Sequence, residues 1–287
     1  MDYLVIGHIT KDLLPGGGYA IGGTSTYSAL SARQLGLNTA IITAAEEGFM
    51  PDLRASVPAV AVHNRPSAQT TTFENIYTNR GRVQYLRGVA ERITPADVPD
   101  DWRASSIVHL GPVAQEFDAD LCDLFIQNAQ SGRRPPFIGL TPQGWLRQWD
   151  IAGAVSPCQW ERAVEVLGKV DAVVFGWEDL AGDERLIRLY AQAAPLAVMT
   201  LGRRGAVVFA RDQGRYFAAR KVDLRDSTGA GDIFATAFFV SYYESGDPYA
   251  AARFASVAAS FSVEGLGIQA VPTRQAISGW LAANPDF

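Results

Sequence analysis

The chain has 287 residues, of which 48% are hydrophobic and 19% charged, and its mean hydropathy is +0.02. That length suits one large α/β domain or two small ones, and the composition is too apolar, with too little net charge, for a disordered chain. A formal net charge of −5 and a pI near 5.3 exclude a generic nucleic-acid binder, which needs basic excess against phosphates, and only Lys11, Lys169 and Lys221 among the 25 basic residues are lysines.

The N-terminal stretch MDYLVIGHITKDLL has no basic segment followed by a long apolar one, so it reads as a first strand, Tyr3–Gly7, and not as a signal peptide. A glycine-rich segment, Leu13–Gly23, comes next, then helical spacing over Thr26–Leu35 and a short β-branched run, Ala40–Thr43. Ala59–Leu86 alternates polar and apolar residues, with Asn79-Arg80-Gly81 as a hairpin turn between Thr/Tyr-rich runs. Further strands are expected at Ile107–Leu110, Phe137–Leu140, Ala172–Phe175, Ala197–Leu201 and Ala206–Phe209. Helices are expected at Ala119–Ala129, at Pro157–Leu167 with Ser156 as N-cap, and at Asp183–Ala193, Asp232–Glu244 and Pro248–Val263.

Strands alternating with helices predict a single α/β domain over residues 1–287 with a mostly parallel sheet. The segments at about 13–23 and 59–88 break the rhythm and read together as a small antiparallel sheet inserted into that body, serving as a lid, an oligomer interface or neither. Cys122 and Cys158 lie far apart, and with His8, His63 and His109 they form no zinc-ligand spacing. No apolar run approaches the ~18 residues that span a bilayer, so the expected setting is soluble and cytoplasmic.

The sharpest feature is Asp226-Ser227-Thr228-Gly229-Ala230-Gly231-Asp232, followed by an apolar helix. Small residues at 229–231 let backbone N–H groups turn toward a ligand as an anion-binding nest, and the helix terminus behind them favours negative charge. Asp232 adds a carboxylate in the first turn, placed to accept a proton from an attacking hydroxyl. The plainer alternative is a helix cap on a tight glycine turn. A GxxxxGK[ST] loop is absent, which excludes a P-loop kinase, and no GxGxxG opens the first βα unit, which argues against a dinucleotide-binding oxidoreductase.

The DSTGAGD string resembles the signature of the ribokinase-like (PfkB) carbohydrate kinases, and companion motifs follow in the family's order along nearly the whole chain. Gly7-His8-Ile9-Thr10-Lys11-Asp12 looks like the first strand leading to the substrate-binding aspartate, and Gly22-Gly23-Thr24-Ser25-Thr26-Tyr27 like the glycine pair beside the sugar. Thr200-Leu201-Gly202-Arg203-Arg204-Gly205 looks like the nucleotide-site turn, and Val263-Glu264-Gly265-Leu266-Gly267 falls where the family closes over adenine. The resemblance implies a ribokinase-like three-layer fold and transfer of the γ-phosphoryl group of ATP, with Mg²⁺ and in some members K⁺, to a hydroxyl of a sugar, polyol or nucleoside. Asp232 would be the base, and the backbone of Gly229, Ala230 and Gly231 would form the anion hole. Asp12, Gly22, Gly23, Tyr27 and Arg147 would bind the acceptor, and Thr200, Gly202, Gly205, Thr228, Gly265 and Gly267 the nucleotide.

Two departures stand out. The family's Asn-x-x-Glu metal motif is replaced by Gly176-Trp177-Glu178-Asp179, leaving either Glu178 or Asp179 to serve Mg²⁺ through water. Tyr27 stands where ribokinase-type members carry a sugar-contacting asparagine, which makes ribose a less favoured acceptor. Thr141–Arg147 and the VEGLG stretch are similar to an inositol-kinase-like branch. A homodimer through the lid is a further implication of the family, and a binding relative that has lost catalysis is the alternative to a kinase.

Overall fold

The structure, a computed structural model, describes residues 1–78, 81–130, 135–210 and 213–287. From the N-terminus, β1 (Tyr3–Ile6) leads to the hairpin of β2 (Thr10–Leu13) and β3 (Tyr19–Gly22), then to α1 (Thr24–Gln34), β4 (Thr39–Ala45) and the short α2 (Met50–Ser56). β5 (Ala61–Pro66), β6 (Thr72–Thr78), β7 (Gly81–Gly88) and β8 (Ile107–Leu110) precede α3 (Asp120–Gln130) and β9 (Phe137–Leu140). A small pair, β10 (Arg147–Trp149) and β11 (Val155–Pro157), is followed by α4 (Ala163–Leu167), β12 (Ala172–Gly176), α5 (Glu184–Ala193) and β13 (Leu196–Thr200). The chain ends with β14 (Ala206–Ala210), β15 (Gln213–Phe217), α6 (Ala230–Ser245), α7 (Pro248–Ser262) and α8 (Arg274–Ala283).

Among the described residues nine strands form the main sheet in the order β15-β14-β13-β12-β9-β8-β1-β4-β5, parallel except for β14 and β15 at one edge. Period-2 side-chain alternation explains why its central strands are apolar throughout. On β1, Tyr3 and Val5 enter the core beneath α1, α6 and α7, whereas Leu4 and Ile6 enter the core on the opposite face with residues of α3, α4 and α5. The same split recurs on β12, with Val174 on one side and Val173 and Phe175 on the other. This is the expected α/β fold of three layers.

A second sheet of four strands, β3-β2-β6-β7, stands beside the C-terminal ends of the parallel strands and matches the inserted sheet read from the sequence. Its pairing is antiparallel except between β2 and β6. Residues 79 and 80 of the expected hairpin turn lie outside the described residues, while β6 and β7 on either side of them pair antiparallel.

The insertion is narrower than its expected span of 59–88. Ala61–Pro66 runs as edge strand β5, parallel to β4 in the main sheet, because Ala61 and Val62 find apolar cover there. The expected helix over Pro157–Leu167 shrinks to Ala163–Leu167, and Ser156 is no N-cap: it lies in β11 opposite Gln148. Local capping chemistry lost there to cross-strand pairing, with Cys158 N–H further bonded to the Leu146 carbonyl. Cys122 and Cys158 are both free thiols. Among the described residues no helix is long and apolar enough to cross a membrane.

Candidate active site

The parallel strands β1, β8, β9, β12 and β13 all end on one side of the sheet, and β1 is the point where connections diverge to β4 on one flank and β8 on the other. Open α/β sheets bind ligands in the crevice at such a point. Gly176 and Thr200 are the last residues of β12 and β13, Gly7-His8, Gly111 and Thr141 follow β1, β8 and β9, and the N-terminus of α6 meets this edge through Tyr27 and Thr24.

Helix α6, like α1, begins at a left-handed glycine, in contrast to the helices capped by side chains. Asp183, Asp247 and Thr273 place side-chain oxygens on the first N–H groups of α5, α7 and α8, but the N-cap of α6 is Gly229, in the left-handed region at φ 74°, with no side-chain cap. The Ala230 N–H closes a turn on the Ser227 carbonyl at 3.3 Å, and the helical ladder starts with Ile233 N–H on the Gly229 carbonyl. A side chain at 229 has no room, since a Cβ there would lie 2.2 Å from the Tyr27 ring. Tyr27 is therefore buried as the floor under the nest. Burial, and then the charges of Asp12, Asp226 and Asp232, hold its phenol well above the ordinary range.

Asp232 lies in the first turn of α6, partly buried, and its Oδ1 accepts a 2.7 Å hydrogen bond from Thr24 Oγ1. Burial pushes its carboxyl up to about 6, opposed by the Thr24 hydroxyl; Asp179 and Asp12 raise it further and Arg147 lowers it. Four charged side chains from separate elements thus converge: Asp12 from β2, Arg147 from β10, Asp179 from beyond β12, and Asp232.

Asp12 accepts from Thr10 Oγ1 at 3.0 Å, and its carboxylate occupies the space a Cβ on Gly22 would need, at 2.3 Å. Gly23 (φ 88°) turns the chain into α1, with the His8 carbonyl 2.7 Å from where a Cβ would stand. The glycine pair therefore admits the Asp12 side chain and the sharp turn. Arg147 Nη2 lies 4.0 Å from Asp179 Oδ1, and Asp179 also accepts from Gly176 N–H at 2.9 Å and from Gln143 Nε2 at 3.5 Å. Glu178 is exposed, so of the two acidic candidates Asp179 is the one in the cluster.

On the other flank, Asp226 stitches two nucleotide-candidate segments together, accepting from Thr228 N–H at 2.9 Å and Gly267 N–H at 3.0 Å. These bonds hold its carboxyl below the usual range although burial alone raises it. Gly265 abuts Ala270, and Thr200 pairs with Gly176 across β12 and β13. The Gly202–Gly205 turn closes through Leu201 N–H on the Gly205 carbonyl at 2.7 Å, and Gly205 (φ 107°) lies against the Phe217 carbonyl, where a Cβ would be 2.0 Å away.

Other polar residues near the site hold the backbone in place. His8 is wholly buried, bonded through Nδ1 to Thr71 Oγ1 at 2.7 Å and through Nε2 to the Glu91 carbonyl at 2.9 Å, a joint between body and inserted sheet. Glu116 is a buried carboxylate that accepts from the backbone N–H groups of His8, Val113 and Ala114. Gln115, at φ 56°, donates to the Arg147 carbonyl at 2.5 Å. Thr24 was missed by the sequence reading: within Thr24-Ser25-Thr26 nothing marks one hydroxyl above another until the fold brings residue 232 to it.

Residues 174–274, which hold the α6 nest but not the Asp12–Tyr27 segment, match the pfkB family carbohydrate kinase. A deoxyribokinase of Salmonella typhi is 38% identical over 88 residues, 30% of this chain and 29% of that protein. The ribokinase of Bacillus subtilis (strain 168) is 27% identical over 201 residues, 70% of this chain and 64% of that protein. The matched segments thus span less than two thirds of these relatives. Among solved structures, a pyrophosphate-dependent kinase in the ribokinase family, complexed with a pyrophosphate analog and myo-inositol, superposes with a TM-score of 0.79 at 24% identity, covering 96% of this chain and 99% of that one. The Arabidopsis thaliana ribokinase complexed with ribose and ATP gives 0.71 at 18% identity, covering 97% and 98%. Over residues 174–274 the chain is thus similar to the pfkB family carbohydrate kinases, and its fold as a whole is that of the ribokinase-family kinases.

Proposed function

We propose that this protein is a kinase that transfers the terminal phosphoryl group of ATP to a hydroxyl of a sugar, polyol or nucleoside. The observation that carries the reading is Asp232: a partly buried carboxylate with a pKa near 6, held by Thr24 in the first turn of a helix whose N-terminus no side chain caps. A group of that pKa is charged at neutral pH yet basic enough to take a proton from an attacking hydroxyl in the transition state. The acceptor would lie between Asp12 and Asp232 beneath the inserted sheet. Asp12 would accept from its hydroxyls and Arg147 would hold its far side.

Phosphoryl transfer spreads negative charge over three oxygens and asks the protein mainly for positioning and electrostatic stabilisation. The N–H groups at Gly229 and Gly231, the Ala230 N–H shared with the Ser227 carbonyl, and the positive end of α6 would supply that stabilisation, which suits a chain with three lysines. Among the described residues no three His, Cys, Asp or Glu side chains group as a metal cage. A hydrated Mg²⁺ held by donor phosphates fits this donor set, because Mg²⁺ keeps several waters and needs only one or two carboxylates. Asp179 would reach it through water, and the ion would neutralise phosphate charge.

Purified protein with Mg-ATP and a panel of ribose, fructose, inositols and nucleosides should release ADP with one of them. ATP and acceptor binding without ADP release across the panel would favour a non-catalytic relative. A pyrophosphate donor is a second reading, favoured by the 0.79 superposition on a kinase described as pyrophosphate-dependent. Orthophosphate release from pyrophosphate in place of ADP release from ATP would decide for it.

A further inference from the structure

The Asp232 carboxylate has two oxygens, and the structure commits one of them. Thr24 Oγ1 lies 2.7 Å from Oδ1 and, donating its single proton there, leaves Oδ2 to receive a proton from an acceptor. We infer that Thr24 is the positioning residue for Asp232, and that Gly7, Gly23 and Gly111 exist as glycines at these strand ends to seat it. The inference rests on the reading of Asp232 as the base.

The seat is built from three directions. Gly23, in the left-handed region, lets α1 start at Thr24 with the His8 carbonyl packed where a Cβ would be. The Thr24 methyl rests on Gly111, where an added Cβ would come within 2.5 Å of Cγ2. Gly111 is itself fixed by its N–H on the Ile6 carbonyl at 2.9 Å. Its carbonyl fills the side-chain space of Gly7, 2.3 Å from a Cβ there, and Ser25 Oγ adds a 2.8 Å bond to the Gly7 carbonyl. The ends of β1 and β8 and the start of α1 thus lock one hydroxyl against one carboxylate oxygen. A β-branched hydroxyl has few rotamers, so the seat fixes the Oγ1 direction as well as its place.

A hydroxyl that donates to a carboxylate favours its charged form. The other ionisable groups facing Asp232 are Tyr3 on β1, Asp12 on β2, Tyr27 on α1, Arg147 on β10 and Asp179 beyond β12, with Asp226 facing Tyr27. None of them changes in a Thr24 variant.

The test is a carboxyl NMR titration of Asp232 in the full chain, with assignment by Asp232→Asn, read beside the pH profile of turnover. Thr24→Val keeps shape and removes the donor. It should raise the Asp232 midpoint by about half a pH unit or more and move the acid limb of turnover up equally. Thr24→Ser should restore both, and Gly111→Ala should reproduce the Val effect by displacing the threonine. ATP KM should stay within about twofold while kcat falls about tenfold or more. A Val midpoint equal to wild type overturns the inference. If Thr24→Val does not fold, the same comparison is made with Thr24→Ala. Because the titration needs no acceptor, wild-type protein that turns over nothing would sink the kinase reading while the Thr24 assignment is still decided.

Discussion

Asp232 carries opposite consequences for activity and stability. Its carboxyl is pushed up to about 6 by burial, from an ordinary value of 3.8. The folded state therefore binds this proton more tightly than the unfolded chain, so this group's contribution to stability falls as pH rises from about 4 through 6. Asp232→Asn should abolish acceptor-dependent ADP release, by at least about 100-fold, while keeping the fold. It should also stabilise the protein at pH 7.5 by on the order of 1–2 kcal/mol, a gain that fades toward pH 4 in thermal melts. Equal turnover by the variant would remove Asp232 from the mechanism. Arg147 lies in the same electrostatic cluster, and Arg147→Ala should raise acceptor KM with ATP KM nearly unchanged. An acceptor KM equal to wild type would show that the guanidinium does not touch the acceptor.

Helix α6 is the element on which the site depends, and its two ends provide a matched comparison. Gly229 at the start (φ 74°) and Gly246 at the end (φ 68°) are both left-handed, so alanine at either costs about 1–2 kcal/mol of backbone strain. At Gly246 an added Cβ meets nothing within 4 Å, whereas at Gly229 it meets the Tyr27 ring at 2.2 Å. Gly246→Ala should lower stability by that strain alone and leave kcat unchanged. Gly229→Ala should cost more in denaturant melts and remove most activity, because either the nest or Tyr27 must move. If the two variants behave alike, the close packing of Tyr27 under the nest is not what sets the site.

At the scale of the whole molecule, the acceptor candidates are split between the body and the inserted sheet. Asp12 belongs to β2 and Asp232 to α6. Lys11 ties the inserted sheet down, paired with Glu46 at 2.6 Å and lying over the rings of Tyr19 and Phe49. An acceptor held between Asp12 and Asp232 should slow amide exchange in β2 and β3 while leaving β14 and β15 unchanged, and unchanged exchange in β2 would place the acceptor elsewhere. Leu13, Tyr19, Ile76 and Val83 are exposed apolar side chains on the same sheet. If that surface pairs two copies as the family resemblance implies, Ile76→Asp should shift the sedimentation of the protein to the monomer.

Composition and period by themselves determined the layered α/β body, since residues alternating along β1 and β12 are apolar on both faces and only a sheet covered on both sides accommodates that. The DSTGAGD string gave the helix start and its carboxylate, because local backbone geometry and the helix dipole act over a few residues. Tertiary structure alone decided the contacts made over long separations. It decided that Asp179 and not Glu178 joins the cluster, that Tyr27 underlies the nest, and that Ser156 pairs in a strand instead of capping a helix. It also decided that, of three adjacent hydroxyls, Thr24 meets Asp232 while Ser25 and Thr26 satisfy the carbonyls of Gly7 and Gly22. A hydroxyl's role is set by which buried partner lies within 3 Å, and residues 208 positions apart acquire that distance only when the sheet brings them together.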